Sequence, residues 1–240
     1  MRLIGFSTGA LAKGDFRKGI ELQERNNLRA VELSALREQE LEPLVEAIST
    51  LDVSRFAYLS FHAPGKLKAV NEERVIECLA TLPDQWPIIV HPEIILTPRL
   101  WIPLGARVCI ENMDSRKTSG RTADEMRSLF DLLPEASFCL DVGHARQIDP
   151  TMTIALMMLR QFGSRLRQVH VSEVGPNGEH MSIGTLATIA FRRIAGHIPE
   201  DCPLIIESVI RPDQMEEEIR KVSEAFDESK REELSAYAYA

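Results

Sequence analysis

Short apolar runs recur along the chain at nearly regular intervals. Eight of them have the length and composition of strands, and successive runs begin 20 to 35 residues apart, which is the length of a strand and helix unit. Several, such as Ile88-Ile89-Val90, are apolar at every position, which is typical of parallel strands covered by helices. The predicted strands are residues 3–7, 30–34, 57–61, 87–90, 107–110, 137–140, 168–171 and 203–206.

The segments between these runs show the helical spacing of apolar residues. Thr122 and Glu125 form a capping box at the start of one segment, Pro150 indicates the start of another, and Gly196 lies near the end of a third. The chain closes with an acidic amphipathic helix and a tail. These predicted segments are residues 123–133, 151–162, 186–198 and 211–240.

Eight alternations of strand and helix in 240 residues predict an α/β fold. The expected architecture is a single (β/α)8 TIM barrel over residues 1–240, with the C-terminal helix and tail beginning at about residue 211. An open doubly wound sheet is the alternative. That fold usually has a G-x-G-x-x-G turn after its first strand, and Ser7-Thr8-Gly9-Ala10 does not match it, so the barrel is preferred.

Composition and charge narrow the range of partners. Apolar residues make up 44% of the chain, but no run reaches the roughly 18 to 20 apolar residues of a membrane span. The first residues lack the zones of a secretory signal, so we expect a cytoplasmic protein with no membrane partner. The formal charge of -8 disfavours nucleic acid as a partner. The oligomeric state stays open, a homo-oligomer included.

Polar residues stand at the ends of six predicted strands, where the chemistry of a TIM barrel is located. Four of the six histidines fall there. Converging imidazoles and carboxylates satisfy one another when a cation is present, and this ligand mixture is typical of zinc, manganese or iron. A buried hydrogen bond or ion pair is the alternative role for each. The residues are His62, His91, Glu111, Asp141, His144, His170 and Glu207. Glu32 at the end of the second strand and Glu173 after the seventh are also placed to enter the site, but each is as readily a solvated carboxylate.

The order of these residues resembles the xylose isomerase-like TIM-barrel superfamily. This group includes sugar-phosphate isomerases, epimerases and endonuclease IV. The similarity extends over roughly residues 3–209. Its most specific motifs are Val90-His91-Pro92, Ile110-Glu111-Asn112, Cys139-Leu140-Asp141-Val142-Gly143-His144-Ala145, Val169-His170-Val171 and His180-x-x-Ile183-Gly184.

The resemblance to the isomerases and epimerases implies one divalent metal, zinc or manganese, held by Glu111, Asp141, His170 and Glu207. It also implies that Glu111 and Glu207 are the catalytic acid and base. One takes the proton alpha to a carbonyl, the enediolate is stabilised by the metal, and the other returns a proton. His144 would contact a substrate hydroxyl.

The resemblance to endonuclease IV implies up to three zinc ions and cleavage of a phosphodiester. His62 and His91 match further ligands of that cluster, and His144 and His180 match parts of its third site. The Asp of the family's Asp-x-His motif is replaced by Gly178, which argues against the third ion. This activity is therefore the alternative hypothesis, and a non-catalytic barrel that keeps the metal pocket is a further one.

Basic residues are frequent in the loops that follow the strands, whereas much of the acid lies in the predicted outer helices. A mouth more positive than the rest of the surface would attract a small anionic or polyhydroxylated substrate. Gly and Pro in residues 175–184 would permit a moving loop. The predicted substrate-binding residues are His62, His91, His144, Arg116 and Lys66.

Overall fold

A computed structural model describes residues 2–227, and in this range eight parallel strands close into a barrel. The barrel strands lie within two residues of the predicted ones at both ends, which confirms the predicted (β/α)8 architecture. Two further short strands, β8 and β9, form an antiparallel hairpin after β7. The strands are β1 Ile4–Ser7, β2 Ala30–Ser34, β3 Tyr58–His62, β4 Ile88–Val90, β5 Val108–Glu111, β6 Ser137–Asp141, β7 Leu166–Val171, β8 Glu173–Val174, β9 His180–Met181 and β10 Leu204–Ile206.

The order around the barrel is β1, β10, β7, β6, β5, β4, β3 and β2, so that each strand pairs with parallel neighbours. Register brings the strand ends together at one rim. Asp141 at the end of β6 lies opposite His170 in β7, and Glu32 in β2 lies opposite Ser60 in β3. Residues far apart in sequence therefore share one end of the barrel.

Helices cover the outside of the barrel. The side chain of Thr122 accepts a hydrogen bond from the backbone nitrogen of Glu125, as the capping box predicts. No helix within residues 2–227 has the length and apolarity needed to cross a membrane. The helices are α1 Thr8–Ala12, α2 Phe16–Arg25, α3 Glu38–Ile48, α4 Glu72–Ala80, α5 Pro98–Trp101, α6 Ala123–Leu132, α7 Val142–Ile148, α8 Thr153–Phe162, α9 Thr185–Arg192 and α10 Met215–Phe226.

Three predicted helix boundaries are wrong. Pro150 does not begin a helix, because Asp149 accepts hydrogen bonds from the backbone nitrogens of Thr151 and Ile154 and so delays α8 until residue 153. The segment predicted to be helical to residue 198 ends its α-helix at Arg192 and continues as a separate 3-10 turn over residues 195–197. The predicted C-terminal helix is present as α10, but it begins at Met215 instead of residue 211, because residues 212–214 form a 3-10 turn. The tail from residue 228 onward lies outside the described residues.

The main apolar core lies between the barrel and its helices. Phe130 of α6 packs against Phe138 of β6 and Phe162 of α8, with ring centroids 6.2 and 4.8 Å away. The barrel interior also holds polar side chains, because Glu32 and Gln168 are fully buried there. Most apolar contacts are therefore made between the barrel and the helices, whereas the inside of the barrel also contains charged and polar side chains.

Gly5 in β1 marks a close approach between strands. A Cβ atom at this position would lie 2.0 Å from the backbone oxygen of Ala30 in β2. We expect Gly5→Ala to lower the free energy of unfolding by about 1–3 kcal/mol, because the strands must separate. Gly163→Ala is the control, since its Cβ would meet nothing within 4 Å. Denaturant unfolding of both variants checks this, and equal midpoints would contradict it.

Candidate metal centre

Glu111, the last residue of β5, stands at the centre of the carboxyl-terminal end of the barrel. Its side chain is 1% exposed. Oε1 lies 3.3 Å from Nδ1 of His170 and 3.3 Å from Nδ1 of His144. Oε2 lies 3.3 Å from Nε2 of His62 and 3.3 Å from Nε2 of His91. The two carboxylate oxygens thus face two different sets of imidazoles.

Within the described residues, two groups of side chains have the arrangement of metal ligands, and they share Glu111. In each group, one potential ligand atom per residue lies within 4.8 Å of those of the other members. We call them the carboxylate-rich group and the histidine-rich group. The carboxylate-rich group is Glu111, Asp141, His170 and Glu207, and the histidine-rich group is His62, His91 and Glu111.

The side chain of Asn112 joins the carboxyl-terminal ends of β5 and β6 by hydrogen bonds. Its side-chain amide donates to the backbone oxygen of Asp141 at 2.9 Å, and its Oδ1 accepts from the backbone nitrogen of Asp141 at 2.8 Å. Asp141 is also the N-cap of α7, where Oδ1 accepts from the backbone nitrogen of His144 at 2.7 Å. Oδ2 of Asp141 makes no hydrogen bond and lies 3.4 Å from Nδ1 of His144.

The carboxylate-rich group contains buried polar atoms that have no hydrogen-bond partner and that a cation would satisfy. Among the residues that the structure describes, both oxygens of Glu111, Oδ2 of Asp141 and Nδ1 of His170 are buried without a hydrogen-bond partner. Buried polar atoms normally have a partner, and these are the atoms that turn toward one another. Three carboxylates and one imidazole form a ligand set that suits zinc or manganese. The residues present therefore fit a divalent metal.

The electrostatics of the group lead to the same conclusion. Burial raises the pKa of Glu207 to about 7 and that of Asp141 to about 6. Burial also opposes the ionisation of Glu111, but His170, His144 and His62 outweigh it and hold the pKa of this carboxyl well below its usual range. Neighbouring carboxylates repel one another in a buried site, and a bound cation offsets that repulsion.

His144 and His180 lie on the side of the carboxylate-rich group that faces the pocket. Nδ1 of His144 lies 2.9 Å from the backbone oxygen of Asn112, and the ring of His180 is 5.3 Å from that of His144. Nδ1 of His180 lies 3.0 Å from Oγ of Ser172 and 3.4 Å from Oε2 of Glu207. Burial, followed by the neighbouring His144, lowers the pKa of His180 to about 3, so its imidazole is neutral.

A pocket of about 300 Å³ opens above these residues. His62, His91, His144, His180 and Arg116, all predicted from the sequence, line it together with Glu111 and Glu207, and Leu36 and Val209 form an apolar part of its wall. Lys66 is exposed beside the lining residue Gly65 and is not one of the residues that border this pocket. Asp141 and His170 lie beneath its floor, fully buried.

Residues 175–184 include the loop and the second strand, β9, of the hairpin, which brings His180 to the pocket. The backbone nitrogen of Ile183 donates to Glu218 of α10 at 2.8 Å, and Arg116 donates to the backbone oxygen of Asn177. The backbone nitrogen of Val209 donates to the oxygen of His180 at 3.1 Å. The segment is therefore held to three other parts of the fold.

Gly178 lies against the guanidinium of Arg116. Its φ is 74°, and a Cβ atom would lie 1.8 Å from Cζ of Arg116. Arg116 is fixed by Asp114, whose oxygens accept from Nε at 3.0 Å and from Nη2 at 2.8 Å. A carboxylate side chain at position 178 would have to displace this arginine. A fixed guanidinium thus occupies the space beside the position where the sequence departs from the endonuclease IV motif.

Three residues of the site have a larger part than sequence reasoning assigned. Glu32 is fully buried instead of solvated, and its Oε2 lies 3.0 Å from Nε2 of His170. Asp114 is buried and pairs with Arg116, although it lies in a polar loop without a motif. Gln168 is buried inside the barrel, and the only signal for it in the sequence is its place two residues before His170.

No protein-family model matches the chain, and no curated protein sequence does. Solved structures do match. The 3-keto-D-glucoside 4-epimerase YcjR from E. coli is 15% identical, with 94% of this chain and 99% of that chain covered and a TM-score of 0.61. The IolI protein with a bound zinc atom is 14% identical over 92% of this chain and 95% of that chain, with a TM-score of 0.60.

A third structure is a xylose isomerase domain protein from Alicyclobacillus acidocaldarius. It is 13% identical over 94% of this chain and 99% of that chain, with a TM-score of 0.63. At such identities the likeness concerns the fold. The protein is therefore a (β/α)8 TIM barrel, and its fold is similar to that of these isomerase and epimerase structures, as the resemblance at the strand ends implies.

Proposed function

We propose that the protein is a divalent-metal isomerase or epimerase acting on a small polyhydroxylated substrate such as a sugar or sugar phosphate. The observation that carries this proposal is the carboxylate-rich group, whose ligand atoms lie within 4.8 Å of one another below a pocket of about 300 Å³. A pocket of this size suits one small molecule. Metal and substrate would meet at Glu111 and Glu207, which both line the pocket.

Glu111, Asp141, His170 and Glu207 would hold a divalent cation, which would supply Lewis-acid polarisation of a substrate carbonyl. Glu207 is 8% exposed at the pocket wall, so its carboxylate can reach the proton alpha to that carbonyl. Glu207 then returns the proton to the enediolate, and Glu111, which the neighbouring imidazoles keep ionised, supplies a second carboxylate to the cation. His144 and His180, which line the pocket beside Glu111 and Glu207, hold substrate hydroxyls. Nearly complete burial of the group limits the access of water.

The named relatives of this fold support the same class of reaction. One is a 3-keto-D-glucoside 4-epimerase, one is a xylose isomerase domain protein, and one carries a bound zinc atom. Zinc and manganese are the metals that we propose, because both accept imidazole and carboxylate ligands.

The charged side chains around the pocket opening indicate whether the substrate carries a phosphate. Arg116 is paired with Asp114 at 2.8 Å, and Nζ of Lys117 lies 2.5 Å from Oε2 of Glu93. Both cations are therefore already neutralised by a carboxylate. This favours a neutral polyhydroxylated substrate over a phosphorylated one, since a phosphate would have to compete with Asp114 or Glu93.

A second candidate function is metal-dependent cleavage of a phosphodiester, as in endonuclease IV. The histidine-rich group favours it, because His62, His91 and Oε2 of Glu111 could hold a second cation beside the first. Arg116 and Gly178 argue against a third ion, because the guanidinium occupies the adjacent space. The net charge of -8 is also unfavourable for a duplex.

Metal content and activity together test the proposal. We expect protein purified without added metal to hold one zinc or manganese ion per chain and to incorporate solvent deuterium into a ketose substrate. Elemental analysis and mass spectrometry of the sugar measure the two quantities. Two ions per chain with nicking of an abasic-site oligonucleotide would favour the phosphoesterase instead. Bound metal with neither activity would favour a non-catalytic barrel, and absence of bound metal would refute both enzymes.

A further inference from the structure

Glu32 of β2 is a charged residue sealed inside the barrel, with none of its surface exposed. Three side chains approach one of its oxygens. Oε2 accepts from Oγ of Ser60 at 3.1 Å and from Nε2 of Gln168 at 2.7 Å, and it lies 3.0 Å from Nε2 of His170. Burying a carboxylate costs free energy of folding unless the group is paired, so these three partners indicate a specific role for Glu32.

The orientation of Gln168 is determined by a fourth residue. The hydroxyl of Tyr58 donates to Oε1 of Gln168 at 2.7 Å, which leaves the amide nitrogen to face Glu32. Tyr58 lies at the start of β3, at the end of the barrel opposite to the pocket. A continuous series of hydrogen bonds therefore runs through the barrel interior and ends at His170.

His170 has its two ring nitrogens in different surroundings. Nδ1 faces the carboxylate-rich group, 3.3 Å from Oε1 of Glu111 and 3.4 Å from Oε2 of Glu207. Nε2 faces Glu32, and the amide nitrogen of Gln168 is 2.7 Å from it. Nε2 either donates to Oε2 of Glu32 or accepts from the amide of Gln168, and Glu32 is the neighbour that stabilises a proton on Nε2. With the proton on Nε2, the lone pair of Nδ1 is free to bind a metal.

We propose that Glu32 is a positioning residue that holds His170 in the tautomer and ring orientation needed for metal binding through Nδ1. The inference rests on the proposed metal site. A carboxylate behind a ligating imidazole fixes the ring and makes it a better ligand, and loss of such a partner lowers metal affinity by about 10- to 100-fold. Gln168, Ser60 and Tyr58 keep Glu32 in place, so the positioning extends from the far end of the barrel.

The test is the affinity of the full-length protein for zinc, measured by competition with a chromophoric chelator. We expect Glu32→Gln to bind zinc about 10- to 100-fold more weakly than the unsubstituted protein. Glu72→Gln is the matched control, because Glu72 is another buried carboxylate but bonds to Trp101 and to the backbone of residues 96 and 97 instead. Its zinc affinity should be unchanged.

A second measurement does not depend on the stability of the variant. In the zinc-loaded protein labelled with ¹⁵N at histidine, we expect the proton of His170 on Nε2 and protected from exchange with solvent. Zinc binding by Glu32→Gln within twofold of the unsubstituted protein would overturn the positioning role while leaving the metal site intact. A His170 proton on Nδ1 would overturn the positioning role and also exclude metal binding through that nitrogen. Failure of the unsubstituted protein to bind any divalent metal would overturn the proposed function, and this inference with it.

Discussion

Replacing Glu111 by glutamine is expected to remove bound metal and to lower solvent-deuterium exchange by about 10³-fold or more. Glu111 is the one residue common to the carboxylate-rich and histidine-rich groups, and each of its oxygens faces a different set of imidazoles. The amide keeps the shape of the side chain but loses its charge and turns N–H groups toward the cation. Elemental analysis and the exchange assay measure the two losses.

The control for this substitution is Glu72→Gln, which removes a buried carboxylate from α4 without touching either group. We expect it to keep both metal and activity. Should Glu111→Gln retain a full complement of metal, the two groups would not be a shared metal centre. The histidines around Glu111 would then be explained by ion pairing within the protein alone.

Replacing Glu207 by glutamine is expected to lower exchange of the substrate proton by about 10²- to 10⁴-fold, the usual contribution of a positioned acid or base. Glu207 is the carboxylate of the group that is most accessible from the pocket, and its Oε2 lies 3.4 Å from both His170 and His180. Because three other ligands remain, metal affinity should fall less than it does in Glu111→Gln. Measuring metal content beside exchange separates the two effects.

Glu207→Asp refines this prediction, because it retains the charge but withdraws the carboxylate from the pocket. We expect Glu207→Asp to bind metal more tightly than Glu207→Gln while exchange stays slow. If Glu207→Gln kept most of the activity, Glu207 would be neither the base nor an essential ligand. Slow exchange in both variants with metal fully bound would identify proton transfer as its main role.

Much of the candidate site followed from the sequence once the fold class was recognised. His62, Glu111 and Asp141 are the last residues of their strands, and parallel strands in a barrel bring such ends to one rim. The apolar runs that predict the strands therefore also predict that these side chains meet. The helix boundaries were less predictable. Pro150 indicated a helix start, but Asp149 accepts hydrogen bonds from the backbone nitrogens of Thr151 and Ile154, and α8 begins later.

Local sequence determined the eight barrel strands and which polar residues end them, because both depend on short-range hydrophobic pattern and chain direction. Only the tertiary structure decided that Glu32 points into the barrel and meets His170, which is 138 positions away in sequence. A barrel strand is buried on both faces, so its pattern does not tell inside from outside. The contact between Arg116 and Gly178 was likewise decided by packing, since nothing local to either residue specifies its neighbour.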